Sequence, residues 1–381
     1  MAQVCHIGAG CLHHIQEIVA THGSARIFFV VGQQSFVASG AKQILSAYCK
    51  ALEYCIFDNF SKNPKLEDVI RGVNVISHFQ ADLVVAVGGG SALDMAKLIN
   101  VFHAQKNASY MDIIQGRAKI LNKPLPLVAV PTTAGSGSES THFAVVYVDN
   151  KKYSVADELM LPNYAIVDAE LSASMSAQLT AITGMDALCQ AIESYWSVGA
   201  TDESKAYAAQ AITLIKGFLV KAVREGNAES RSKMAYAANL AGKAINISKT
   251  TAPHALSYAL TSYFGIPHGH AVALTLPNFF MINATLDNVE INDPRGKEYV
   301  LDTMNNLYEM LGCKSAQEAA HWIRQTMHQI DLPVSLCALD IEPMIAMDKV
   351  AANLNYERLK NNPVVITPEI IGNIFSEFDN F

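Results

Sequence analysis

Short apolar runs alternate with stretches of three- and four-residue apolar spacing through the first 169 residues, and this alternation sets the expected architecture. ARIFFVVG is an apolar run ending in glycine, the mark of a strand buried on both faces, and QSFVASGAKQILSAYCKAL follows it with helical spacing. Tyr54 to Phe57 repeats the strand signal and LEDVIRGVNVISHFQ the helical one. ADLVVAVGGGSALDMAKLINVF then gives strand, glycine turn and helix in one piece, and PLPLVAVPTT, THFAVVYVD and NYAIVDAE add strands. Such alternation predicts a parallel sheet with helices on both faces. From Glu170 the strand signal almost disappears. AYAAQAITLIKGFLVKAVRE, SRSKMAYAANLAGKAIN, EYVLDTMNNLYEML and SAQEAAHWIRQTMHQI all carry helical periodicity, and IEPMIAMDKVAANLNYERLKNNPVVITPEII reads as a closing helical segment. The expected organisation is an α/β domain over 1–169 and an all-α domain over 170–381.

Composition narrows the class. At 381 residues and 50% hydrophobic the chain holds more than one core's worth of material. Charged residues make up 17%, below the usual quarter, so much of the chain is expected to be buried core or subunit interface, and a homo-oligomer, a dimer, is the expected assembly. A net charge of -7 argues against nucleic acid or an anionic membrane as partner, leaving small molecules. Seven cysteines include no C-x-x-C pair, and Cys5 and Cys11 match no ligand spacing, so reduced thiols and a cytoplasmic location are expected. No basic leader followed by an apolar stretch opens the sequence, and no run of eighteen apolar residues occurs.

Two small-residue loops follow strands. At Gly88-Gly89-Gly90-Ser91 the glycines let backbone approach a pyrophosphate, and a helix beginning near Ala92 aims its unpaired N–H groups at it. The alternative is a tight strand-to-helix turn. PTTAGSGSES offers hydroxyls on Thr132, Thr133, Ser136 and Ser138, with Gly135 and Gly137 keeping the backbone accessible, so it suits a ligand-facing loop; a plain surface loop is the other reading.

The helical half carries a histidine-rich stretch, KTTAPHALSYALTSYFGIPHGH, from Lys249 to His270. Pro253 can open a helix with His254 in its first turn, Gly265-Ile266-Pro267 ends it, and His268 can open the next element close to His254. In LTAITGMDALCQAIESYW, Asp186 and Gln190 stand four apart and share a helical face. Asp186, Gln190, His254 and His268 would make a two-nitrogen, two-oxygen site for a divalent ion such as iron or zinc. A satisfied polar group in an apolar helix is the bland alternative for each.

Together GGGSALDMAK at 88, PTTAGSGSEST at 131, TGMDALCQAIES at 183 and PHG at 267 resemble the iron-containing (group III) alcohol dehydrogenases over essentially the whole chain. KTTAPHALSYALT, FGIPHGHAVALTLP and Gln190 resemble most the phosphonoacetaldehyde reductase branch. The resemblance implies a dehydroquinate synthase-like fold, a dinucleotide-binding domain bound to NADPH or NADH, and one divalent metal. It also implies that Asn63, Asp94, Lys97 and Lys152 lie around the cofactor. Relatives that prefer NAD often carry an acidic residue where this chain has Gly32, so NADPH is expected to serve. Most members have histidine at the place of Gln190, and many have one at that of Tyr258. Metal affinity should therefore be lower, and Tyr258, His270 and metal-bound water become the candidates for proton delivery. Lys249, Thr250, Thr251 and the amides opening the next helix would form an anion cradle, which fits a phosphonate; a solvated lysine and a capping threonine are the alternative. The expected activity is reduction of phosphonoacetaldehyde to 2-hydroxyethylphosphonate. A general short-chain alcohol dehydrogenase, a metal-dependent cyclase of the dehydroquinate synthase type and a non-catalytic cofactor-binding protein are the rivals.

Overall fold

The apolar runs of the N-terminal half become the strands of one sheet. The computed structural model describes residues 3–376 apart from 106–107, 150, 288 and 355, and the chain divides between Met175 and Ser176 into two units. In the first, β1 (Val4–Ile7), β2 (Arg26–Val31), β3 (Glu53–Phe57), β4 (Leu83–Gly88) and β5 (Leu127–Pro131) join a parallel sheet. β6 (Phe143–Val148) and β7 (Lys151–Ala156) stand apart as an antiparallel hairpin, and β8 (Tyr164–Val167) returns to the sheet, whose order is β1-β8-β5-β4-β2-β3. Helices α1 (Ile15–His22), α2 (Gln33–Ala38), α3 (Ala41–Tyr48), α4 (Leu66–Phe79), α5 (Gly90–Ala104) and α6 (Tyr110–Ile114) connect the strands.

Alternation along each strand distributes the core. Phe28, Val30, Val84, Ala86 and Ala129 face a cluster with Val69, Ile76, Leu98 and Phe102 of α4 and α5. Ile27, Phe29, Val85, Val87 and Val130 point the other way, toward Ile15, Ile18, Phe36 and Leu45. Both faces being covered, the central strands are unbroken apolar runs. The chain runs outward from β2 to β3, then crosses to β4 on the other side, so the sheet's topological switch lies between β2 and β4. There the Gly32 N–H donates to the Val87 carbonyl and the Thr132 N–H to the Gly88 carbonyl, each at 2.9 Å. Three strand ends thus meet where open α/β sheets bind ligands.

Pattern and structure differ in places. β1 and β7 were not legible: β1 is a four-residue edge strand, VCHI, and KKYSVA alternates only weakly. β6 reads as a strand but joins β7 rather than the main sheet. The single helical pattern after β2 is two helices, broken at Gly40, whose φ of 79° ends the regular backbone. Helix α5 starts at Gly90, two residues before Ala92, so Ser91 lies in its first turn.

The second unit consists of α7 (Ala177–Trp196), α8 (Asp202–Arg224), α9 (Ala228–Ser248), α10 (Ala252–Phe264), α11 (His268–Ala284), α12 (Lys297–Leu311), α13 (Ala316–Gln329), α14 (Pro343–Asn353), α15 (Tyr356–Leu359) and α16 (Pro368–Ser376). Side chains of Ser176, Thr201, Asn227 and Ser315 cap four of the helix starts. α8 has the length and hydropathy of a membrane span, but Ala208, Ile212, Ile215 and Leu219 on it are buried within the unit. The closing segment is three short helices rather than one, interrupted around Pro363, where Val364 bridges to Ile291.

Gly72 sets how closely α4 approaches α5, the helix that carries the glycine turn. A Cβ on it would lie 2.2 Å from Ile99 Cδ1 and 2.6 Å from Cγ1. Gly72→Ala is therefore expected to destabilise the protein by about 1–3 kcal/mol through overpacking, despite alanine's better helix propensity. Urea unfolding checks this, and Ile99→Ala in the same chain should make Gly72→Ala close to neutral; additive losses would rule out the steric account.

Candidate metal centre and glycine turn

Helix α7 presents Asp186, Gln190 and Glu193 along one stripe, since positions four and seven residues on return to the same face. All three are buried, Glu193 completely. α10 begins at Ala252, with Pro253 and His254 both in its first turn, and it ends at Gly265 with φ 70°. The chain turns back and α11 opens on His268. Gly269 makes that return possible, because a Cβ there would sit 2.2 Å from the Ile182 carbonyl oxygen and 2.8 Å from Asp186 Cβ. Backbone can thus lie against α7 only at a glycine. Ligand atoms of Asp186, His254 and His268 consequently fall within 4.8 Å of one another.

Hydrogen bonds determine which nitrogens face the cluster. His254 Nδ1 donates to the Glu193 carboxylate, a close contact that leaves Nε2 turned toward Asp186 Oδ1 at 3.5 Å. Ser257 Oγ donates to the His254 carbonyl at 2.8 Å, so it accepts from His268 Nδ1 at 3.3 Å, and the lone pair of His268 lies on Nε2. Carboxylate and hydroxyl partners of this kind are what orient metal-ligating imidazoles. Burial would lower the His254 pKa, but the Glu193 and Asp186 carboxylates outweigh it and push it up to about 9. Burial likewise opposes ionisation of Asp186, yet the imidazoles and the Gln190 amide hold its carboxyl below the ordinary range.

The donor set fits a divalent cation. Asp186 Oδ1 and His254 Nε2 are buried and make no hydrogen bond, although buried polar atoms almost always have one. Two carboxylates, Glu193 and Asp186, face the His254 imidazole from either side, and a cation between Asp186 Oδ1 and Nε2 would satisfy both of those atoms. Two imidazole nitrogens with a carboxylate oxygen suit iron or zinc. Gln190, one turn from Asp186, turns its amide so as to favour the ionised carboxylate.

Other expected residues fall elsewhere. His270 is buried and its Nε2 proton is held by the Pro333 carbonyl at 2.7 Å, so it packs α11 instead of delivering protons. Burial lowers its pKa and the carbonyl offsets this only in part. Tyr258 stacks on His268 with ring centroids 5.9 Å apart, and its hydroxyl accepts from Arg358. Burial raises its pKa. The anion cradle is not available. Glu193 Oε1 accepts from the Thr251 N–H (2.8 Å), the Thr251 hydroxyl (3.0 Å) and the His254 N–H (3.3 Å), while the Thr251 hydroxyl accepts from Trp196 Nε1. An internal carboxylate already occupies that helix start. Lys249 is exposed, and Asn361 pins the loop through the Ser248 and Thr250 carbonyls. Glu193 and Ser257, which orient the two histidines, lie outside the sequence-based set; of the two only Glu193, seven residues after Asp186 in an apolar helix, leaves a signal.

In the first unit, Gly88, Gly89, Gly90 and Ser91 follow β4 directly, and no side chain caps α5 at Gly89. Gly88 has φ 156°, and a Cβ on Gly90 would lie 2.9 Å from Ser136 Oγ, so the two small-residue loops touch. Gly89 faces Thr133, Gly137 is left-handed at φ 61°, and Thr132 Oγ1 is buried without a partner. An uncapped helix start beside a free buried hydroxyl suits a pyrophosphate. Asp94 and Lys97 lie beneath the loops instead of lining them. Lys97 Nζ donates to Ser138 Oγ, Thr141 Oγ1 and the Phe143 carbonyl, each at 3.0 Å, which uses all three donors. Its pKa is pushed down to about 8, chiefly by burial. Asp94 accepts from Ser138 Oγ and the Val145 N–H. Lys152 on β7 is near enough to Asp94 to favour its charge, Gly32 ends β2, and Asn63 is exposed between β3 and α4.

Comparison with known proteins agrees with these motifs. The profile described as iron-containing alcohol dehydrogenase matches residues 2–169, and that of the Fe-containing alcohol dehydrogenase family, C-terminal, matches 180–378. A sulfoacetaldehyde reductase from Bifidobacterium kashiwanohense, solved in complex with NAD+, is 32% identical with a TM-score of 0.86, the match covering 99% of this chain and 96% of that one. The NAD-dependent methanol dehydrogenase of Bacillus methanolicus is 38% identical over 64% of this chain, a match spanning 63% of the relative's length. The NADPH-dependent butanol dehydrogenase of Clostridium saccharobutylicum is 32% identical over 73% of this chain and 72% of its own.

Glu193→Gln is expected to weaken metal binding about 10- to 100-fold, the usual loss when a ligand's outer partner is removed. An amide N–H facing Nδ1 would move the imidazole proton to Nε2, the ligating nitrogen. Competition titration of the metal-free protein with zinc measures this directly, and unchanged affinity would make Glu193 a helix cap only.

Proposed function

This chain belongs to the iron-containing alcohol dehydrogenase family, and from that premise we propose that it is a metal-dependent, NAD(P)H-linked alcohol dehydrogenase acting as an aldehyde reductase. The observation that carries this reading is the convergence of Asp186, His254 and His268, with the tautomers of both histidines fixed from behind by Glu193 and Ser257. When bound, the metal supplies Lewis-acid polarisation of a carbonyl and the nicotinamide supplies hydride. The chain's own contribution is orientation. Glu193 and Ser257 hold two imidazoles in one tautomer, Gly269 brings α11 against α7, and the glycine turn with Thr132 receives the dinucleotide's phosphates.

Within that activity we read the substrate as a two-carbon aldehyde with a tetrahedral oxyanion, phosphonoacetaldehyde being the form the sequence motifs favour. The likeness to a sulfoacetaldehyde reductase supports an anionic head, and it makes the sulfonate the second candidate.

Steady-state assays on metal-loaded enzyme should show phosphonoacetaldehyde reduced to 2-hydroxyethylphosphonate, with kcat/KM at least as high for NADPH as for NADH. Gly32→Asp should turn that preference toward NADH, since a carboxylate there repels a ribose 2′-phosphate. A marked NADH preference in the unaltered chain would move the ribose-reading residue away from Gly32. Elemental analysis finding no metal in fully active protein would end the Lewis-acid mechanism.

A further inference from the structure

An anionic substrate needs a cation near the metal cluster, and the helix start ahead of His254 does not offer one, because Glu193 already fills it. Arg358 on α15 is half-buried and lies across the Tyr258 ring, its Cζ 4.9 Å from the centroid, while one N–H donates to the Tyr258 hydroxyl. The same ring stacks at 19° on His268. One aromatic side chain therefore separates this guanidinium from a residue of the cluster. Arg71, Arg117, Arg224 and Arg295 each close on an aspartate. Among the described residues Arg358 has no carboxylate partner, and the Tyr258 hydroxyl is the acceptor it meets there, using one of five N–H donors.

We propose that Arg358 is the residue that binds the substrate's anionic head, Tyr258 holding its guanidinium beside His268; the inference rests on the reductase reading above. A planar guanidinium matches two oxygens of a sulfonate or phosphonate in a single fork, which an ammonium does not. The head and the carbonyl of such an aldehyde are one methylene apart, in keeping with the single ring between Arg358 and His268. Tyr258 then has a use of its own. In place of a second histidine this chain carries a phenol whose oxygen accepts from the arginine and whose face supports it.

The test compares kcat/KM for phosphonoacetaldehyde, sulfoacetaldehyde and uncharged propanal on the metal-loaded holoenzyme. Arg358→Gln should lower the ratio of charged to uncharged substrate about tenfold to a hundredfold, chiefly through KM, the loss expected for a charge-assisted hydrogen bond. Arg358→Lys should recover part of that ratio, and Lys249→Met should leave it unchanged. Equal losses on all three aldehydes would overturn the proposal, as would a selective loss confined to Lys249→Met. Which of the two anionic aldehydes is faster in the unaltered enzyme separates phosphonate from sulfonate. An unaltered enzyme that reduces none of the three would instead remove the reductase reading, and this inference with it.

Discussion

A fully buried carboxylate, that of Glu193, ties the helical unit together. An isolated charge in such a place would be strongly unfavourable, and it is tolerated only because donors surround it: the Thr251 amide and hydroxyl, the His254 amide and His254 Nδ1. Those donors all belong to the start of α10. Satisfying Glu193 therefore means docking α10 on α7 in one register, and that register brings His254 to Asp186. The Trp196 indole, bonded to the same threonine, extends the tie by one further turn of α7. Cap, tautomer and ligand position are one interaction seen from three residues.

The two units build their candidate sites in different ways. In the first it is backbone: Gly89 and Gly90 leave the start of α5 uncapped and close to the facing loop, which Lys97 and Asp94 brace from beneath. In the second, side chains on rigid helices do it, and Gly269 serves only to let helices approach. Small residues are needed in both, for opposite reasons.

Much of this was legible wherever neighbours in sequence are neighbours in space. The strand, glycine turn and helix around Gly88, the break between α10 and α11 at Gly265 and Pro267, and the shared face of Asp186 and Gln190 all follow from local rules. What escaped depends on distant partners. Nothing in KTTAPH announces that its amides are already bonded to a carboxylate fifty-eight residues earlier, so an empty anion cradle was the natural reading. Arg358 and Tyr258 are likewise one hundred residues apart. His270 shares a motif with His268, yet two residues of helix turn it about 200° away, toward Pro333. The short edge strand β1 failed for another reason, being too brief to show any period.

The stripe on α7 limits how this chain can change in length. Asp186, Gln190 and Glu193 work because each successive position is fixed at 3.6 residues per turn, so inserting or deleting one residue between Asp186 and Glu193 would swing the second away from the first by about 100°. The helix itself would survive, still apolar and still capped by Ser176, but its acidic groups would no longer share a side. Spacing from residue 186 to residue 193 is thus expected to be invariant among working relatives even where side chains vary. The exposed stretch around Lys123, outside any helix or strand, is under no such constraint, and insertions and deletions should accumulate there instead.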